Sequence, residues 1–234
     1  MSLNALPRVW LIVLLGMCGV QQVSGTEWGE FAVLSRYAED NQNLLSLPKD
    51  PDRIVFFGDS ITEMWKLIRP EFFENPHYVN RGIGGQTTPQ MLLRFQRDVV
   101  ALQPKAVVIL AGINDIAGNT GDAEVDDIFG FISAMGSSAK ESDMHVILCS
   151  VLPAIDFPWR PGRGPAQKIV ALNALLKEHA REQGYGYIDY YTPLEDGRGG
   201  LKVPEFTSAD DLVHPNAAAY SIMEGLVEAA LDTL

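Results

Sequence analysis

Beyond residue 53 the sequence alternates short apolar runs with longer amphipathic stretches, and this alternation restricts the chain to few folds. The runs lack a regular polar alternation, which is typical of strands buried on both faces of a sheet. The five predicted strands are Ile54–Phe57, Tyr78–Asn80, Ala106–Ala111, His145–Ser150 and Tyr185–Ile188.

The stretches between the runs repeat apolar residues at every third or fourth position, which predicts amphipathic helices. We assign a first helix, which precedes the strands, to packing without chemistry. Alternating strands and helices predict a parallel sheet covered on both faces, so the expected fold class is α/β, a three-layer α/β/α sandwich with five parallel strands. The predicted helices are Trp28 to about Asn43, Thr88–Leu102, Asp126–Lys140, Ala166–Gln183 and Asn216–Leu234.

In such a sheet the ligand site lies beyond the carboxyl ends of the strands. The first strand is followed by Gly58-Asp59-Ser60, where a serine at a helix start can act as a nucleophile. The same Asp-Ser pair is also a good helix N-cap. The second strand is followed by Gly84-Gly85-Gln86, whose glycines either bring backbone N–H groups to a ligand or form a flexible turn. This stretch fails the dinucleotide pattern G-x-G-x-x-G, because Thr87 stands at its last position.

Polar residues also follow the third strand and precede the last helix. Asn114 can direct its side-chain amide at a developing negative charge, or it can form an ordinary turn. Asp211 and His214 lie three residues apart, so the carboxylate can bond one ring nitrogen and leave the other free as a base. The alternative is a capping Asp and a surface His. Of the four histidines, His214 alone has a carboxylate placed to orient it on the site side.

The chain resembles the SGNH (GDSL-type) hydrolases in four sequence blocks, which occur in the family's order: Gly58-Asp59-Ser60, Gly85, Gly112-x-Asn114-Asp115 and Asp211-x-x-His214. The resemblance covers residues 53 to about 220 and implies the flavodoxin-like SGNH hydrolase fold. Two positions depart from the family pattern. Ile61 stands where the first block has leucine, and Leu212 stands where related sequences often carry glycine, which can narrow or stiffen the loop.

The resemblance implies a serine esterase. Ser60 is then the nucleophile, His214 its base and Asp211 the acid that orients the base. The implied oxyanion hole consists of the N–H groups of Ser60 and Gly85 and the side-chain amide of Asn114. This machinery requires neither a cofactor nor a metal, and the sequence has no Cys-x-x-Cys or His-Glu-x-x-His motif that would favour a metal site.

The loop after the fourth strand carries Phe157, Trp159 and Arg160, which are candidates for binding substrate. They can wall a small acyl pocket or stack on a sugar ring, or the loop is a rigid, proline-braced surface segment. The chain resembles the branch of platelet-activating-factor acetylhydrolase and carbohydrate acetylesterases, which implies short acyl groups, acetate first, and O-acetyl groups on glycans. A lysophospholipase or thioesterase of the same mechanism and a non-catalytic glycan-binding module are the alternatives.

Residues 1–25 have the layout of a secretory signal peptide. Arg8 provides the positive charge, Val9–Val20 form an apolar run that is short for a membrane span, and Val23-Ser24-Gly25 offers small residues before a cleavage site. The expected product is an exported (secreted or periplasmic) domain of residues 26–234 without a stable membrane span. An uncleaved anchor and a lipoprotein modified at Cys18 are the alternatives, although Met17 fits a lipoprotein motif poorly.

The chain is acidic, with 30 Asp and Glu against 18 Lys and Arg and a formal net charge of −12. Such a surface repels a phosphate backbone, which argues against nucleic acid as a partner. Without Cys18 one cysteine remains, Cys149, in an apolar run that predicts a buried and unreactive thiol. The expected partner is a small-molecule or glycan ester, and the sequence leaves the oligomeric state open.

Overall fold

The computed structural model describes residues 25–234, which form a five-stranded parallel sheet with helices on both faces. The predicted α/β sandwich and its five strands are confirmed. The signal-peptide prediction lies outside the described residues, except for its last position. The strands are β1 (Ile54–Gly58), β2 (Tyr78–Gly82), β3 (Ala106–Leu110), β4 (His145–Cys149) and β5 (Gly186–Ile188), and their order in the sheet is β2-β1-β3-β4-β5.

The helices alternate with the strands, and those predicted after β2 differ from the prediction only at their ends. They are α1 (Gly25–Phe31), α2 (Ala38–Ser46), α3 (Ser60–Ile68), α4 (Thr88–Asp98), α5 (Ile113–Ala117), α6 (Val125–Glu141), α7 (Ala166–Gln183), α8 (Tyr191–Leu194) and α9 (Ala217–Leu231). Short 3₁₀ turns follow α3 and α4, at Pro70–Glu74 and Val100–Leu102. The helix predicted over Thr88–Leu102 ends at Asp98, because Val99 leaves helical geometry with φ −127° and ψ −68°. Within residues 25–234 no helix is long and apolar enough to cross a membrane.

The chain changes direction across the sheet after β2, and this change positions the site. From β1 it moves outward to β2, then crosses β1 to reach β3 and continues to β4 and β5. Because parallel crossovers are right-handed, the two directions place α3 and α4 on opposite faces of the sheet. α9 packs beside α3, α6 packs beside α4, and α7 packs beside α6. The loops after β1 and β3 therefore diverge and open a crevice at the carboxyl edge of the sheet.

β1 is an interior strand of the sheet, and all five of its residues are buried. On one face, Phe56 contacts the rings of Trp65 and Phe72. On the other face, Phe57 packs edge-to-face against Phe95 of α4. A strand buried on both faces gives the continuous apolar run seen in the sequence, and it forms a rigid base for the loop that follows.

The segment before β1 was predicted as one helix, and that prediction is wrong. α1 ends at Phe31, the chain turns through Val33 with a φ of 52°, and α2 begins at Ala38. Positive φ is unfavourable for a β-branched residue, so the turn must be held by contacts elsewhere. One such contact is the side chain of Gln86, which donates to the carbonyl of Ala32 at 2.9 Å. The segment therefore supports the loop after β2, which is more than the simple packing predicted for it.

Candidate active site

Ser60 is the first residue of α3 and follows the end of β1 through a tight turn. The turn requires Gly58, because a Cβ there would lie 2.0 Å from Oγ1 of Thr62. Asp59 caps the helix, with its Oδ1 accepting the N–H of Ile61 at 2.9 Å. The helix cap that was the alternative interpretation of this motif is therefore formed by Asp59. The hydroxyl of Ser60 takes no part in the cap and can face the crevice.

The side chain of His214 joins Ser60 to Asp211. Oγ of Ser60 lies 2.9 Å from Nε2 of His214. The other ring nitrogen, Nδ1, lies 2.8 Å and 3.0 Å from the two carboxylate oxygens of Asp211. A carboxylate accepts hydrogen bonds, so Nδ1 carries the proton and Nε2 presents its lone pair to the hydroxyl. This geometry can transfer a proton from Ser60 to His214.

The short loop that carries Asp211 and His214 also contains Leu212, the second position that departs from the family pattern. Leu212 adopts a φ of 65°, a left-handed conformation that favours glycine and costs other residues about 1–2 kcal/mol. Three hydrogen bonds hold the loop in this conformation. Oδ1 of Asp211 accepts the N–H of Val213 at 3.2 Å and that of His214 at 2.9 Å. The hydroxyl of Thr207 donates to the carbonyl of His214 at 2.9 Å.

The candidate oxyanion-hole groups come from three loops at the same edge of the sheet. A Cβ on Gly84 would lie 3.8 Å from Cβ of Ser60, so the glycine loop runs directly beside the serine. Gly85 has a φ of 75°, and within residues 25–234 the N–H groups of Ser60 and Gly85 have no acceptor. Asn114 is 3% exposed, and its Nδ2 donates one hydrogen to the carbonyl of Gln86 at 3.1 Å. Its second amide hydrogen remains available for a ligand.

Buried polar side chains fix the glycine loop. Gln86 accepts a hydrogen bond from Nε of Arg94 at 2.6 Å. Arg94 is fully buried and also donates to the carbonyl of Gly58 at 2.8 Å, so one guanidinium ties the loop to the end of β1. Glu63 of α3 accepts the N–H of Gly84 at 2.8 Å. These contacts hold the glycine loop in place beside Ser60.

Two carboxyl groups beneath the site have raised pKa values. Burial raises the pKa of Asp59 from 3.8 to about 7 and that of Asp115 to about 6. Asp115 accepts the backbone N–H of Thr88 at 3.0 Å and its hydroxyl at 2.6 Å, so it caps α4. Oδ2 of Asp59 has no hydrogen-bond partner among the described residues. Both groups hold the loops of the site, and neither contacts the crevice.

The three residues predicted to bind substrate differ in their surroundings. Phe157 is fully buried beneath Trp159, with ring centroids 5.2 Å apart, so the prediction that it walls a pocket is wrong. Trp159 is 44% exposed, and its ring centroid lies 6.2 Å from that of His214. Arg160 donates to the carbonyl of Gly118 at 2.6 Å and braces the loop. An open cleft beside His214 is lined by Pro158, Trp159, Ser208, Asp210, Asp211 and His214.

Groups that resemble a metal site lie away from this crevice. Among residues 25–234, the one cluster of acidic and histidine side chains with suitable spacing consists of Asp50, Asp52 and His77. These residues precede β1 and β2, at the amino edge of the sheet, whereas Ser60 lies at the carboxyl edge. Nδ1 of His77 lies 3.0 Å from a carboxylate oxygen of Asp50, so a hydrogen bond between the two side chains explains their closeness.

Sequence reasoning missed several residues that hold the site. Asn119 bonds the side chain of Asn114, and Glu63 and Arg94 fix the glycine loop. All three lie outside the family blocks, on helices or loops where a polar residue has many ordinary uses. These residues are distant in sequence from the groups that they contact, so the sequence alone does not reveal the contacts.

The fold and the site together define the class of the protein. A three-layer α/β/α sandwich whose first strand leads into a serine, and whose last loop brings an Asp–His pair onto it, has the architecture of an SGNH hydrolase. Residues 56–222 match the model of the GDSL-like Lipase/Acylhydrolase family. The chain belongs to this family.

Proteins of known sequence or structure support this membership. A GDSL-like lipase from Bacteroides thetaiotaomicron is 42% identical, with a TM-score of 0.81, over 87% of this chain and 98% of that chain. Human platelet-activating factor acetylhydrolase IB subunit alpha2 is 30% identical over 132 residues, 55% of this chain and 54% of its own length. The chain thus spans about half the length of the curated relatives it matches. An acetylxylan esterase from Geobacillus stearothermophilus shares the fold, with a TM-score of 0.61 at 19% identity, over 79% of this chain and 96% of that chain.

Proposed function

We propose that this protein is a carboxylic ester hydrolase that removes short acyl groups, acetate first, through an acyl-enzyme formed on Ser60. The observation that carries the proposal is the hydrogen-bonded chain from Ser60 through His214 to Asp211, with 2.9 Å between Oγ and Nε2. This distance lies within the range over which a general base can take the proton of a nucleophile. The arrangement is complete with side chains alone.

The reaction proceeds in two halves. In the first, Nε2 of His214 takes the hydroxyl proton as Oγ of Ser60 attacks the ester carbonyl. Asp211 stabilises the imidazolium that forms, and His214 then gives the proton to the leaving alcohol. In the second half, His214 takes a proton from water, the resulting hydroxide attacks the acyl-enzyme, and the acid leaves as Oγ recovers its proton.

The negative charge that develops on the carbonyl oxygen needs donors that are already in place. The N–H of Ser60 lies at the start of α3, where the helix dipole favours negative charge. The N–H of Gly85 and the second amide hydrogen of Asn114 complete the set. Their supporting contacts, described above, keep these donors from reorganising during the reaction.

The cleft beside His214 favours a small acyl group and a sugar as the alcohol. Ser208, Asp210, Asp211 and His214 interrupt its apolar surface with polar groups, and Trp159 offers one exposed aromatic face to it. Aromatic faces stack well on the apolar faces of sugar rings, whereas a long acyl chain needs a continuous apolar channel. The names of two similar proteins, an acetylhydrolase and an acetylxylan esterase, also refer to acetyl groups. We therefore extend the proposal to O-acetyl groups on carbohydrates.

Chain-length preference tests the acyl part of the proposal. The full chain and its Ser60→Ala variant are compared on p-nitrophenyl acetate, butyrate and octanoate. We expect the highest kcat/KM for acetate and no activity above background for the variant. A preference for octanoate would support the lysophospholipase or thioesterase alternative. Inertness of both proteins toward every ester and toward a phosphonate probe would support the glycan-binding module.

Substitutions at Trp159 test the alcohol part. Kinetics on an acetylated xylo-oligosaccharide are compared with kinetics on ethyl acetate, which has no ring to stack. Trp159→Ala is expected to raise KM for the oligosaccharide roughly fivefold with little change for ethyl acetate, because stacking contributes on the order of 1 kcal/mol. Trp159→Phe keeps an aromatic face and should retain most of the affinity. Equal effects of Trp159→Ala on both esters would contradict a sugar-binding role.

Export of the chain is a separate proposal that rests on residues 1–25 alone. Mass spectrometry of the protein recovered outside the cytoplasm of expressing cells tests this proposal, because the molecular mass shows where the chain begins. A chain beginning at Thr26 is expected, and a chain that keeps residues 1–25 or carries lipid on Cys18 would contradict it.

A further inference from the structure

Asn119 connects three groups of the site that come from different loops. It lies just after α5, and its side chain is partly exposed. Its Nδ2 donates to the carbonyl of Gly85 at 3.1 Å and to Oδ1 of Asn114 at 3.0 Å. Its Oδ1 accepts the indole N–H of Trp159 at 3.3 Å.

The chemistry of the partners fixes which way both amides face. An indole N–H can only donate and a carbonyl oxygen can only accept, so Asn119 must present its oxygen to Trp159 and its nitrogen to Gly85. The carbonyl of Gln86 also only accepts, so Asn114 presents Nδ2 to Gln86 and Oδ1 to Asn119. A reversed Asn114 amide would set oxygen against oxygen at Gln86 and nitrogen against nitrogen at Asn119.

Such ordering matters because the two ends of an amide have nearly the same shape. Packing around Asn114 therefore cannot by itself select the orientation that aims N–H at the crevice. Gly85 needs a similar constraint, since its φ of 75° is one of several conformations open to glycine. The side chain of Asn119 acts on both residues at once.

We propose that Asn119 is a positioning residue of the oxyanion hole: it orients the amide of Asn114 and the backbone of Gly85 while contacting no reacting atom. This inference rests on the proposed function, in which those two groups bind the oxyanion. Donors that are preorganised stabilise the transition state more than donors that must first turn. Loss of Asn119 should therefore lower kcat and leave substrate affinity almost unchanged.

Two variants separate hydrogen bonding from space filling. Asn119→Asp keeps the shape and the acceptor for Trp159, but it cannot donate to Gly85 or Asn114. Asn119→Ala removes all three contacts at a partly exposed position, where the fold should tolerate the change. Both variants are expected to lower kcat for p-nitrophenyl acetate about tenfold or more, with KM nearly unchanged, because an oxyanion donor is worth about 10²–10³ in kcat. Wild-type kcat in either variant would overturn the proposal.

A double variant shows whether Asn119 acts through Asn114. In Asn114→Ala/Asn119→Ala the loss in kcat should be clearly smaller than the product of the two single losses, because residues acting as a unit are not additive. A loss equal to that product would overturn the proposal and indicate a general structural effect. Wild-type protein that is no more active than Ser60→Ala, and that does not react with a phosphonate, would instead overturn the proposed function and this inference with it.

Discussion

Asn114 acts in the proposed mechanism through one side-chain hydrogen, so its contribution can be isolated. Asn114→Ala is expected to lower kcat about 10²–10³-fold with little change in KM, because the donor binds charge that exists only in the transition state. Asn114→Asp is the matched variant, since it keeps the shape and loses the donor. Steady-state kinetics on p-nitrophenyl acetate give the answer. An increase in KM at unchanged kcat would show that Asn114 binds the ester and not the oxyanion.

Asp59 gives a prediction about stability and pH. Burial raises its pKa from 3.8 to about 7 in the folded protein. Between these two values the folded state binds more protons at Asp59 than the unfolded state does, so the free energy of unfolding falls as pH rises through this window. Asp59→Asn removes the titration and should make that fall smaller. Urea unfolding of the wild-type protein and of Asp59→Asn at pH 5 and pH 8 measures the fall in the free energy of unfolding. An equal fall in the two proteins would contradict the raised pKa of Asp59.

At the scale of helices and strands, the sequence predicted the elements that are buried and missed those that depend on tertiary contacts. The strand runs were correct because residues buried on both faces of a sheet must be apolar whatever surrounds them. The segment Trp28–Asn43 was wrong because its turn at Val33 depends on contacts such as that of Gln86 with Ala32. Local periodicity contains no information about a partner more than fifty residues away.

Arg94 shows how one element holds its neighbours. Its fully buried guanidinium pairs with Asp98 at 3.1 Å and bonds Gln86 and the carbonyl of Gly58. Arg94→Met should lower the free energy of unfolding by about 3–5 kcal/mol, because it leaves the Asp98 carboxylate buried without its cation. Denaturant unfolding measures this loss.

A matched double variant distinguishes the lost charge pair from lost packing. Arg94→Met/Asp98→Leu removes both charges and should recover a large part of the stability, since apolar replacement of a buried pair is often tolerated. If the double variant were less stable than Arg94→Met alone, the interpretation based on an unpaired charge would be wrong.

At the scale of the whole molecule, the change of direction after β2 explains why residues from the four blocks meet. The blocks span Gly58 to His214, yet the first three lie at the carboxyl ends of β1, β2 and β3, and the last lies in the loop that leads into α9. Their order and residue types made the contacts of His214 with Ser60 and Asp211 predictable from sequence. The wall of the substrate cleft was less predictable, since an aromatic residue in a loop, such as Phe157, can as easily belong to the core.

Covalent labelling is the direct test of the proposal that Ser60 acts as the nucleophile. The native protein is treated with a fluorophosphonate, digested and examined by mass spectrometry. We predict one adduct on the peptide that contains Ser60, no adduct in Ser60→Ala, and much slower labelling in His214→Ala, because the base activates the hydroxyl. Ester hydrolysis that persists in Ser60→Ala, or a label on another residue, would show that Ser60 is not the nucleophile.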